Sequence, residues 1–487
     1  MTAVVMGVDS STQSCTVELR ELETGRLVAT GRAAHPPTHP PVSEQDPQAW
    51  WDALVEATHQ ALAIAGQVEV VGVAVGAQCH GLVASDASEK VIRPAKLWND
   101  TTSATQAAAL IEQYGKQWWA DEIGLVPSAA LTITKLAWLR DNEPLSFERV
   151  RHLALPHDWL TFRLTGRHVT DRSDASGTGF YSADQGKWRL DILSETIGAG
   201  DWSGALPTVL GPDQVAGTVA EVAAAALGIK AGAAVGPGGG DQHLAAIGIG
   251  LREGDVAYSL GTSGVVFATT DQAIHDPSGA IDGVANTTGG FLPLACTFNA
   301  AKVTDAMARL LAVSHDELSA LALAASTDGA RPVMAAYLDG ERSPRLPWAR
   351  GMISGLTSEV SREQMALAAY EGVVFGLVRG ERRIAEYGVD IPGAAILVGG
   401  GAKSQAYRQI IADASGRVAQ TVDAPEGTAR GAAIQAAAVA TGERVADVAS
   451  AWQPPVTSET SPRQDRADEA YDRYLRLADA QADGGTF

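Results

Sequence analysis

Two well-separated stretches of this chain share one pattern: an apolar run, a short turn of small hydroxyl residues, and a second apolar run. They read "VVMGVDSSTQSCTVEL" at 4–19 and "DVAYSLGTSGVVFATT" at 255–270. Short apolar runs that are interrupted by small turn residues are typical of strand–turn–strand hairpins. Because the same opening returns in the second half of the chain, the sequence predicts a duplicated fold.

Helical and apolar segments follow each predicted hairpin. In the first half, 47–66 has helical spacing and 68–76 reads as a buried strand. In the second half, 361–388 and 426–442 are predicted helices, and 394–400 between them is a predicted strand. The alternation predicts an α/β protein.

We divide the chain into a first domain at 1–245, a second domain at 246–450, and a polar surface tail at 451–487 with a charged helix near 463–482. The glycine-rich stretch "GPGGGDQH" at 236–243 then falls at the junction of the two domains. Glycines allow the backbone to come close to a ligand, and this loop leads into an acidic residue, Asp241.

Charge and cysteine content argue against several classes of protein. The 487 residues carry a formal net charge of −20, whereas proteins that bind nucleic acid through its phosphates need a basic patch. Cys15, Cys79 and Cys296 are far apart and predict neither a disulfide framework nor a zinc site. The N-terminus reads as a strand, and no window of about 18 residues is apolar enough for a membrane span. We therefore expect a cytoplasmic protein without nucleic-acid or membrane partners.

Two turns of small residues are candidate phosphate sites. The turn with Gly261, Thr262 and Ser263 offers backbone N–H groups and hydroxyls to an anion, as does the first turn with Ser11 and Thr12. The alternative is an ordinary hairpin turn, in which glycine and serine are common anyway.

A second glycine loop, "VGGGAKSQ" at 398–405, joins a predicted strand to a predicted helix. The N-terminus of a helix carries partial positive charge and free N–H groups, which suits an adenosine or a phosphate. A plain glycine-rich turn between a strand and a helix is the alternative.

Polar side chains at strand ends are candidate ligand contacts. Asp9 ends the first strand, where a carboxylate either shares Mg²⁺ with phosphates or caps a turn. Gln78 and His80 follow the strand at 68–76, the place where α/β folds put ligand contacts, and suit hydrogen bonds to a sugar. His80 can equally be a buried core histidine, and the pair of Cys79 and His80 is too small a set for zinc.

Nucleotide-binding motifs of other folds are missing from the sequence. It contains no P-loop, no protein-kinase signature and no dinucleotide-binding fingerprint after a strand. If the protein uses a nucleotide, it does so on another fold.

A series of segments resembles one family in the order in which they occur. The segments are "SEQDPQAWW" (43–51), "AQCHG" (77–81), "RPAKLWND" (93–100), "LPHDWLTFRLTG" (155–166), "DASGTG" (174–179), "GGGDQ" (238–242), "SLGTSGVVF" (259–267), "YLDGERSPRLPWARGMISGL" (337–356) and "GGGAKSQAYRQIIAD" (399–413). By these segments the chain resembles the FGGY carbohydrate kinases, which are members of the actin-like, ribonuclease-H-like ATPases, and within them the bacterial xylulokinases.

The resemblance implies a fold and a reaction. The implied fold is two duplicated ribonuclease-H-like (actin-like ATPase) domains that flank an interdomain cleft. In that cleft MgATP phosphorylates a sugar hydroxyl, and the implied sugar is D-xylulose, giving D-xylulose 5-phosphate. A homodimer is also implied by the resemblance.

The resemblance assigns roles to matching positions. Asp241 is implied as the general base, and Asp9 as the acid beside Mg²⁺ and the phosphates, with the metal held through water. The predicted sugar contacts are Gln78, Cys79, His80, Asp241 and Gln242. The predicted ATP contacts are Ser11, Thr12, Gly261, Thr262, Ser263, Gly400, Gly401 and Ala402.

Some positions depart from the family pattern. Cys79 stands where methionine is usual, and Gln242 where xylulokinases mostly have asparagine. In the first turn, Ser11 replaces the usual glycine and Thr16 stands where a lysine is often found. Cys79 and Gln242 keep open a kinase for another ketose or polyol (ribulose, glycerol or an alditol). A separate alternative, from another functional class, is a non-catalytic regulator on the same fold that binds a sugar or a nucleotide.

Overall fold

The computed structural model describes residues 1–198, 200–327, 331–463 and 468–482, and the chain divides into two units. The first unit combines 1–250 with 283–291 and 426–454. The second unit combines 251–282 with 292–425 and 455–487.

The strands are β1 (Thr2–Ser10), β2 (Ser14–Glu21), β3 (Leu27–Ala34), β4 (Glu44–Gln45), β5 (Val68–Ala77), β6 (Val83–Ser85), β7 (Ala95–Lys96), β8 (His152–Ala154), β9 (Val169–Asp171), β10 (Tyr181–Ser182), β11 (Lys187–Trp188), β12 (Thr208–Leu210), β13 (Gly217–Thr218), β14 (Ala234–Val235), β15 (Gly239–Gly240), β16 (Val256–Leu260), β17 (Gly264–Ala268), β18 (Leu294–Thr297), β19 (Val333–Ala335), β20 (Met352–Ser354), β21 (Ala395–Val398), β22 (Ala419–Val422) and β23 (Val456–Thr460).

The helices are α1 (Pro47–Ala65), α2 (Ala104–Tyr114), α3 (Lys116–Ile123), α4 (Thr132–Asn142), α5 (Pro144–Phe147), α6 (Pro156–Thr165), α7 (Arg172–Ser176), α8 (Leu190–Thr196), α9 (Glu221–Leu227), α10 (Asp241–Gly248), α11 (Ala301–Leu311), α12 (His315–Ala324), α13 (Arg362–Glu386), α14 (Gln405–Ser415), α15 (Gly427–Thr441), α16 (Val445–Ala451) and α17 (Asp468–Ala482). A turn of 3₁₀ helix covers Gly400–Lys403.

The sheet of the first unit has the order β13-β14-β5-β1-β2-β3, with β15 also paired to β5. Strands β1, β2 and β3 form an antiparallel meander, and β5 and β14 run parallel to β1. The core of this unit includes Val4, Val8, Val17 and Trp50, all fully buried. Strands β1 and β2 are buried on both faces for most of their length, which explains why both read as nearly continuous apolar runs.

The sheet of the second unit repeats this plan with the order β23-β22-β21-β16-β17-β18. Strands β16, β17 and β18 form the antiparallel meander, β21 and β22 run parallel to β16, and β23 is an antiparallel edge strand like β13. The predicted duplication of an α/β fold is confirmed.

Helix α15 belongs to the first unit, although its residues lie in the predicted second domain at 246–450. Its glycines and alanines allow an unusually close approach to the sheet. A Cβ at Gly7 of β1 would lie 1.9 Å from the carbonyl oxygen of Ala429, and one at Gly72 of β5 would lie 2.4 Å from that of Ala436. Small side chains on the helix and on the strands allow this packing. The chain therefore contributes 426–454 to the first unit, after most residues of the second unit.

The C-terminal helix differs from the predicted surface tail at 451–487. Helix α17 begins at Asp468, while 464–467 of the predicted helix and 483–487 of the predicted tail lie outside the described residues. Tyr474 and Ala478 are fully buried in the core of the second unit, and Tyr471 is 4% exposed. The helix is charged on one face and apolar on the other, which explains why composition alone indicates a surface position.

Candidate active site

In the first unit, three chain segments meet at the carboxyl edge of the parallel strands. Asp9 of β1 pairs with Gly76 of β5, and the short strand β15 lies beside the end of β5. Helix α10 then begins at Asp241. The structure therefore brings Asp9, the segment 78–80 and Asp241 to one edge, where α/β sheets place ligand sites.

Glycines allow the approach of β15 to β5. A Cβ at Gly240 would lie 2.4 Å from Sγ of Cys79 and 2.6 Å from Nδ1 of His243. Gly238 has φ 82°, and a Cβ there would lie 2.7 Å from Cδ2 of His157. The glycine loop thus sets Asp241 against Cys79, while the close approach to a ligand that the sequence predicts for these glycines stays a prediction.

Asp241 lies in surroundings that raise its pKa. Its carboxylate is partly buried and accepts a hydrogen bond from the backbone N–H of Gln242 at 2.7 Å. The thiol of Cys79 lies 3.5 Å from the same oxygen, Oδ1. Burial raises the pKa of Asp241 to about 6, even though both hydrogen bonds lower it. A carboxylate with a pKa near neutrality is suited to accepting a proton under physiological conditions.

The thiol of Cys79 stays protonated in this setting. Burial raises the pKa of Cys79 well above its usual range, and the negative charges of Asp174 and Asp241 raise it further. The S–H group is therefore a hydrogen-bond donor to Asp241. The sequence predicts a sugar contact at this position, and the structure adds a contact to Asp241.

Asp9 lies in a concentration of negative charge. Burial raises the pKa of Asp9 well above its usual range, and the nearby carboxylates of Asp241 and Glu426 raise it further. Its Oδ1 is buried and has no hydrogen-bond partner among the described residues. A bound cation would offset the negative charge around Asp9 and give its Oδ1 a partner, so the site fits a divalent metal held by a carboxylate. In the described part of the chain, no group of three or more His, Cys, Asp or Glu side chains is arranged to hold a metal ion.

His80 adopts a backbone conformation that L residues rarely take, with φ 65°. Its N–H donates to Oδ1 of Asp174 at 3.4 Å, and its carbonyl oxygen accepts from Oγ1 of Thr132 at 3.0 Å. The ring atom Nδ1 lies 2.9 Å from the carbonyl oxygen of Gly177. Because a carbonyl can only accept, Nδ1 carries the hydrogen, and in the neutral ring Nε2 is then the acceptor.

A hydrogen-bonded chain connects the first turn to Gln78. Nε1 of Trp98 donates to Oγ1 of Thr12 at 2.9 Å, and Oγ1 of Thr12 donates to Oε1 of Gln78 at 3.1 Å. Gln78 is 1% exposed, and its Nε2 has no hydrogen-bond partner among the described residues. An amide N–H₂ in this position is available for a ligand oxygen.

These hydrogen bonds change the interpretation of the first turn. The hydroxyl of Thr12, predicted to contact phosphate, already accepts one hydrogen bond and donates another within the protein. The hydroxyl of Ser11 donates to the carbonyl of Ser14 and closes the turn. Backbone groups, rather than these hydroxyls, are what the turn can offer to a phosphate.

In the second unit, the two predicted ATP loops are neighbours at the carboxyl edge of β16 and β21. Thr262 and Ser263 are exposed in the turn after β16. Gly399, with φ 85°, follows β21, and a Cβ there would lie 2.7 Å from the carbonyl oxygen of Leu260. A Cβ at Gly401 would lie 2.7 Å from Cβ of Leu260. The glycines therefore bring one loop against the other.

The remaining predicted ATP positions of this edge differ in exposure. Gly261 donates its N–H to the carbonyl of Ser263 within the turn. A Cβ at Gly400 would meet no heavy atom within 4 Å, so this residue faces open space. Ala402 is 7% exposed, and its side chain packs into the core of the unit.

Two residues that the sequence analysis did not select belong to the site of the first unit. Trp98 lies in "RPAKLWND" and Asp174 in "DASGTG", two segments that carry the family resemblance but do not by themselves indicate a role for these side chains. Asp174 is 1% exposed. Aspartate is rarely buried, and its burial here cannot be recognised from the sequence.

Solved structures define the class of protein. A xylulose kinase from Bifidobacterium adolescentis is similar to this chain with a TM-score of 0.87 and 38% identity, covering 98% of this chain and 99% of that one. The fold is that of a two-domain, actin-like carbohydrate kinase.

Sequence comparison identifies the family. The model of the FGGY family of carbohydrate kinases, N-terminal domain, matches 4–248, and the model of the C-terminal domain matches 256–440. A xylulose kinase of Streptomyces rubiginosus is 41% identical over 451 residues, which are 92% of this chain and 91% of the relative. A xylulose kinase of Streptomyces coelicolor is 41% identical over 450 residues, covering 92% and 90% of the two chains. The chain belongs to the FGGY family of carbohydrate kinases.

Family membership indicates the general class of reaction. Kinases of this kind use ATP as the phosphoryl donor, typically with a divalent metal, and a sugar as the acceptor. Among the helices formed by described residues, none combines the length and the apolar character needed to cross a membrane.

Proposed function

We propose that this protein transfers the terminal phosphoryl group of ATP to a hydroxyl of D-xylulose, giving D-xylulose 5-phosphate and ADP. The observation that carries the proposal is Asp241: a partly buried carboxylate with a pKa of about 6, at a sheet edge shared with Gln78 and His80. The sugar is chosen because relatives at 41% identity over 92% of the chain are xylulose kinases.

In the proposed reaction, Asp241 takes the proton of the attacking hydroxyl. The hydroxyl oxygen forms a bond to the γ-phosphorus while the bond from that phosphorus to the β–γ bridging oxygen breaks. ADP leaves with the electron pair of that bond, and the proton rests on Asp241. Phosphoryl transfer depends mainly on positioning and charge stabilisation, so a base that removes the proton contributes a part of the total acceleration.

The polar groups beside Asp241 suit a polyhydroxylated substrate. Nε2 of His80 is the acceptor of the neutral ring and matches a hydroxyl that donates. Nε2 of Gln78 is a buried donor and matches a hydroxyl or carbonyl oxygen that accepts. A sugar offers donors and acceptors on adjacent carbons, so this pair favours a sugar over an apolar ligand.

We assign Mg²⁺ to the carboxylate of Asp9, with water between the metal and the protein. The metal would neutralise charge on the phosphates of ATP. The unpartnered Oδ1 of Asp9 supports this assignment. For the nucleotide we assign the backbone of the turn at 261–263 and the loop at 399–401. The cytoplasmic location and the homodimer stay predictions.

A substrate panel with ADP release as the readout tests the proposed function. We expect D-xylulose to give the highest kcat/KM among D-xylulose, D-ribulose, glycerol and xylitol. A higher value for another member would replace the proposed sugar, and an absence of sugar-dependent ATP turnover would favour the non-catalytic regulator.

Asp241→Ala tests the role of the base in the same assay. We expect turnover to fall by about 10²- to 10⁴-fold, the range for loss of a general base, while ATP binding is retained. Near-normal turnover would contradict the assignment of Asp241. Asp213→Ala is a control for removal of a carboxylate outside the site, and its turnover should match that of the wild type.

A further inference from the structure

A group of buried charged side chains lies behind the proposed sugar site and has no role in the steps above. His157 is fully buried, with Nδ1 at 2.9 Å from Oδ2 of Asp174 and Nε2 at 3.0 Å from Oδ1 of Asp158. Oδ1 of Asp171 lies 3.8 Å from Nε2 of His157. The three carboxylates are 1–3% exposed. Buried charges are costly, so a cluster of this kind calls for a specific purpose or a specific partner.

His157 carries the positive charge of this cluster. Burial by itself lowers the pKa of an imidazole, but the carboxylates of Asp158 and Asp174 raise the pKa of His157 to about 9. With both ring nitrogens protonated, His157 donates a hydrogen bond from Nδ1 to Asp174 and forms an ion pair with Asp158 through Nε2, without hydrogen-bond geometry. Oδ2 of Asp174 is therefore held in place by a charged donor.

The other oxygen of Asp174 reaches the sugar site. Oδ1 accepts the backbone N–H of His80 at 3.4 Å. His80 has φ 65°, a conformation that persists only where surrounding contacts hold it. The contacts are Asp174 at the N–H, Thr132 at the carbonyl, and Gly177 at the ring. A Cβ at Gly177 would lie 2.3 Å from Nδ1 of His80, so the ring is seated directly on this backbone.

We propose that Asp174, whose second oxygen is held by His157, is a positioning residue for sugar recognition: it holds His80 in its left-handed conformation and so directs the ring to the substrate. The inference rests on the proposed function, because it assigns a task to His80 in binding the sugar. Asp174 acts through His80 and does not itself contact the substrate.

The variant Asp174→Asn separates this role from simple burial. An amide has one oxygen, so asparagine cannot accept from His157 and from the N–H of His80 at the same time. The matched control is Asp158→Asn, which also removes a buried carboxylate from His157 but leaves both acceptor oxygens of Asp174. Thermal unfolding of both variants establishes that they are folded under the assay conditions.

We expect Asp174→Asn to raise the KM for the sugar by about tenfold, the effect of losing one hydrogen bond with a charged group at a positioned residue. The KM for ATP should stay within about twofold of wild type, and Asp158→Asn should leave the KM for the sugar within about twofold. Equal effects of the two variants on the KM for the sugar would overturn the proposal.

A double-mutant cycle with His80→Ala tests whether Asp174 acts through His80. We expect Asp174→Asn to change the KM for the sugar by less than about twofold once the imidazole is absent, because the group that it positions is gone. The same tenfold effect in both backgrounds would refute the positioning role.

Hydrogen exchange of the protein without substrate tests the positioning role of Asp174 independently of which sugar the enzyme uses. In the protein without substrate, the amide of His80 should exchange faster in Asp174→Asn than in Asp158→Asn, since the single amide oxygen of Asn turns to the charged His157 and its N–H₂ group then faces the amide of His80. Equal exchange would overturn the inference. If the wild type prefers another sugar of the panel, D-xylulose is the wrong substrate, and the kinetic cycle is run on the preferred sugar.

Discussion

The rate of this kinase should fall between pH 7 and pH 5. Asp241 must be ionised to accept a proton, and burial raises its pKa from 3.8 to about 6. With that pKa, about nine-tenths of the base is ionised at pH 7 and somewhat less than one-tenth at pH 5, so kcat/KM for the sugar should fall roughly tenfold. An unperturbed aspartate would be about nine-tenths ionised even at pH 5, and the profile would be nearly flat.

Cys79→Ala should move this acid limb to higher pH. The S–H group of Cys79 stabilises the ionised form of Asp241, and its loss favours the protonated form. Cys79→Ser is the matched control, because it keeps a hydroxyl donor at the same position. We therefore expect the alanine variant to lose activity at a higher pH than the serine variant.

The assay measures initial rates of ADP formation at low sugar and saturating ATP between pH 4.5 and 8, at constant ionic strength. Excess Mg²⁺ keeps the terminal phosphate of ATP ionised. Any remaining effect of nucleotide titration is the same for the two Cys79 variants and cancels when their profiles are compared. Tryptophan fluorescence at each pH checks that the protein is folded. A flat profile from pH 7 to pH 5, or coincident limbs for the two variants, would refute the reasoning.

Three further substitutions test other parts of the site and fold. Asp9→Asn should require about 10- to 100-fold more Mg²⁺ for half-maximal rate, the usual cost of losing a group that holds a metal through its ligands, and an unchanged Mg²⁺ titration would argue against the metal assignment. Thr12→Val should raise the KM for the sugar severalfold because the hydroxyl that orients Gln78 is lost, whereas Thr12→Ser should not; equal values would remove this role. Gly431→Ala should reduce the free energy of unfolding in urea by about 1–3 kcal/mol or more, because the new Cβ would lie 1.9 Å from the carbonyl oxygen of Leu244 in α10. Gly204→Ala, where a Cβ would meet no heavy atom within 4 Å, is its control, and equal stability of the two variants would contradict the packing argument.

Local patterns were sufficient to predict many elements of the fold. The helix predicted at 47–66 spans Pro47–Ala65, where Asp46 caps its start by accepting from the N–H of Gln48. Proline at the first turn and glycine after the last are visible in the sequence because they act within a few residues. The two hairpins were predicted for the same reason.

Assignments that depend on distant parts of the chain were less complete. Helix α15 joins the first unit because its small side chains fit against β1 and β5, a match that no local pattern reveals. Helix α17 is buried through Tyr474, although its charged residues indicate a surface element. Packing partners far away in the chain decide such cases.

For the site, local sequence supplies the chemistry that is available: one carboxylate before a serine-rich turn, one after a glycine loop, a Gln-Cys-His segment at a strand end, and the resemblance that assigns roles to these residues. The surroundings of each group arise only when distant segments come together in the folded chain. Cys79 and Asp241 are 162 residues apart and meet at 3.5 Å, while His80 and Asp174 are 94 residues apart and share a hydrogen bond. The pKa of Asp241, the charge on His157 and the left-handed conformation of His80 all arise from such long-range contacts, because burial and electrostatic interaction depend on distance in space and not on separation along the chain.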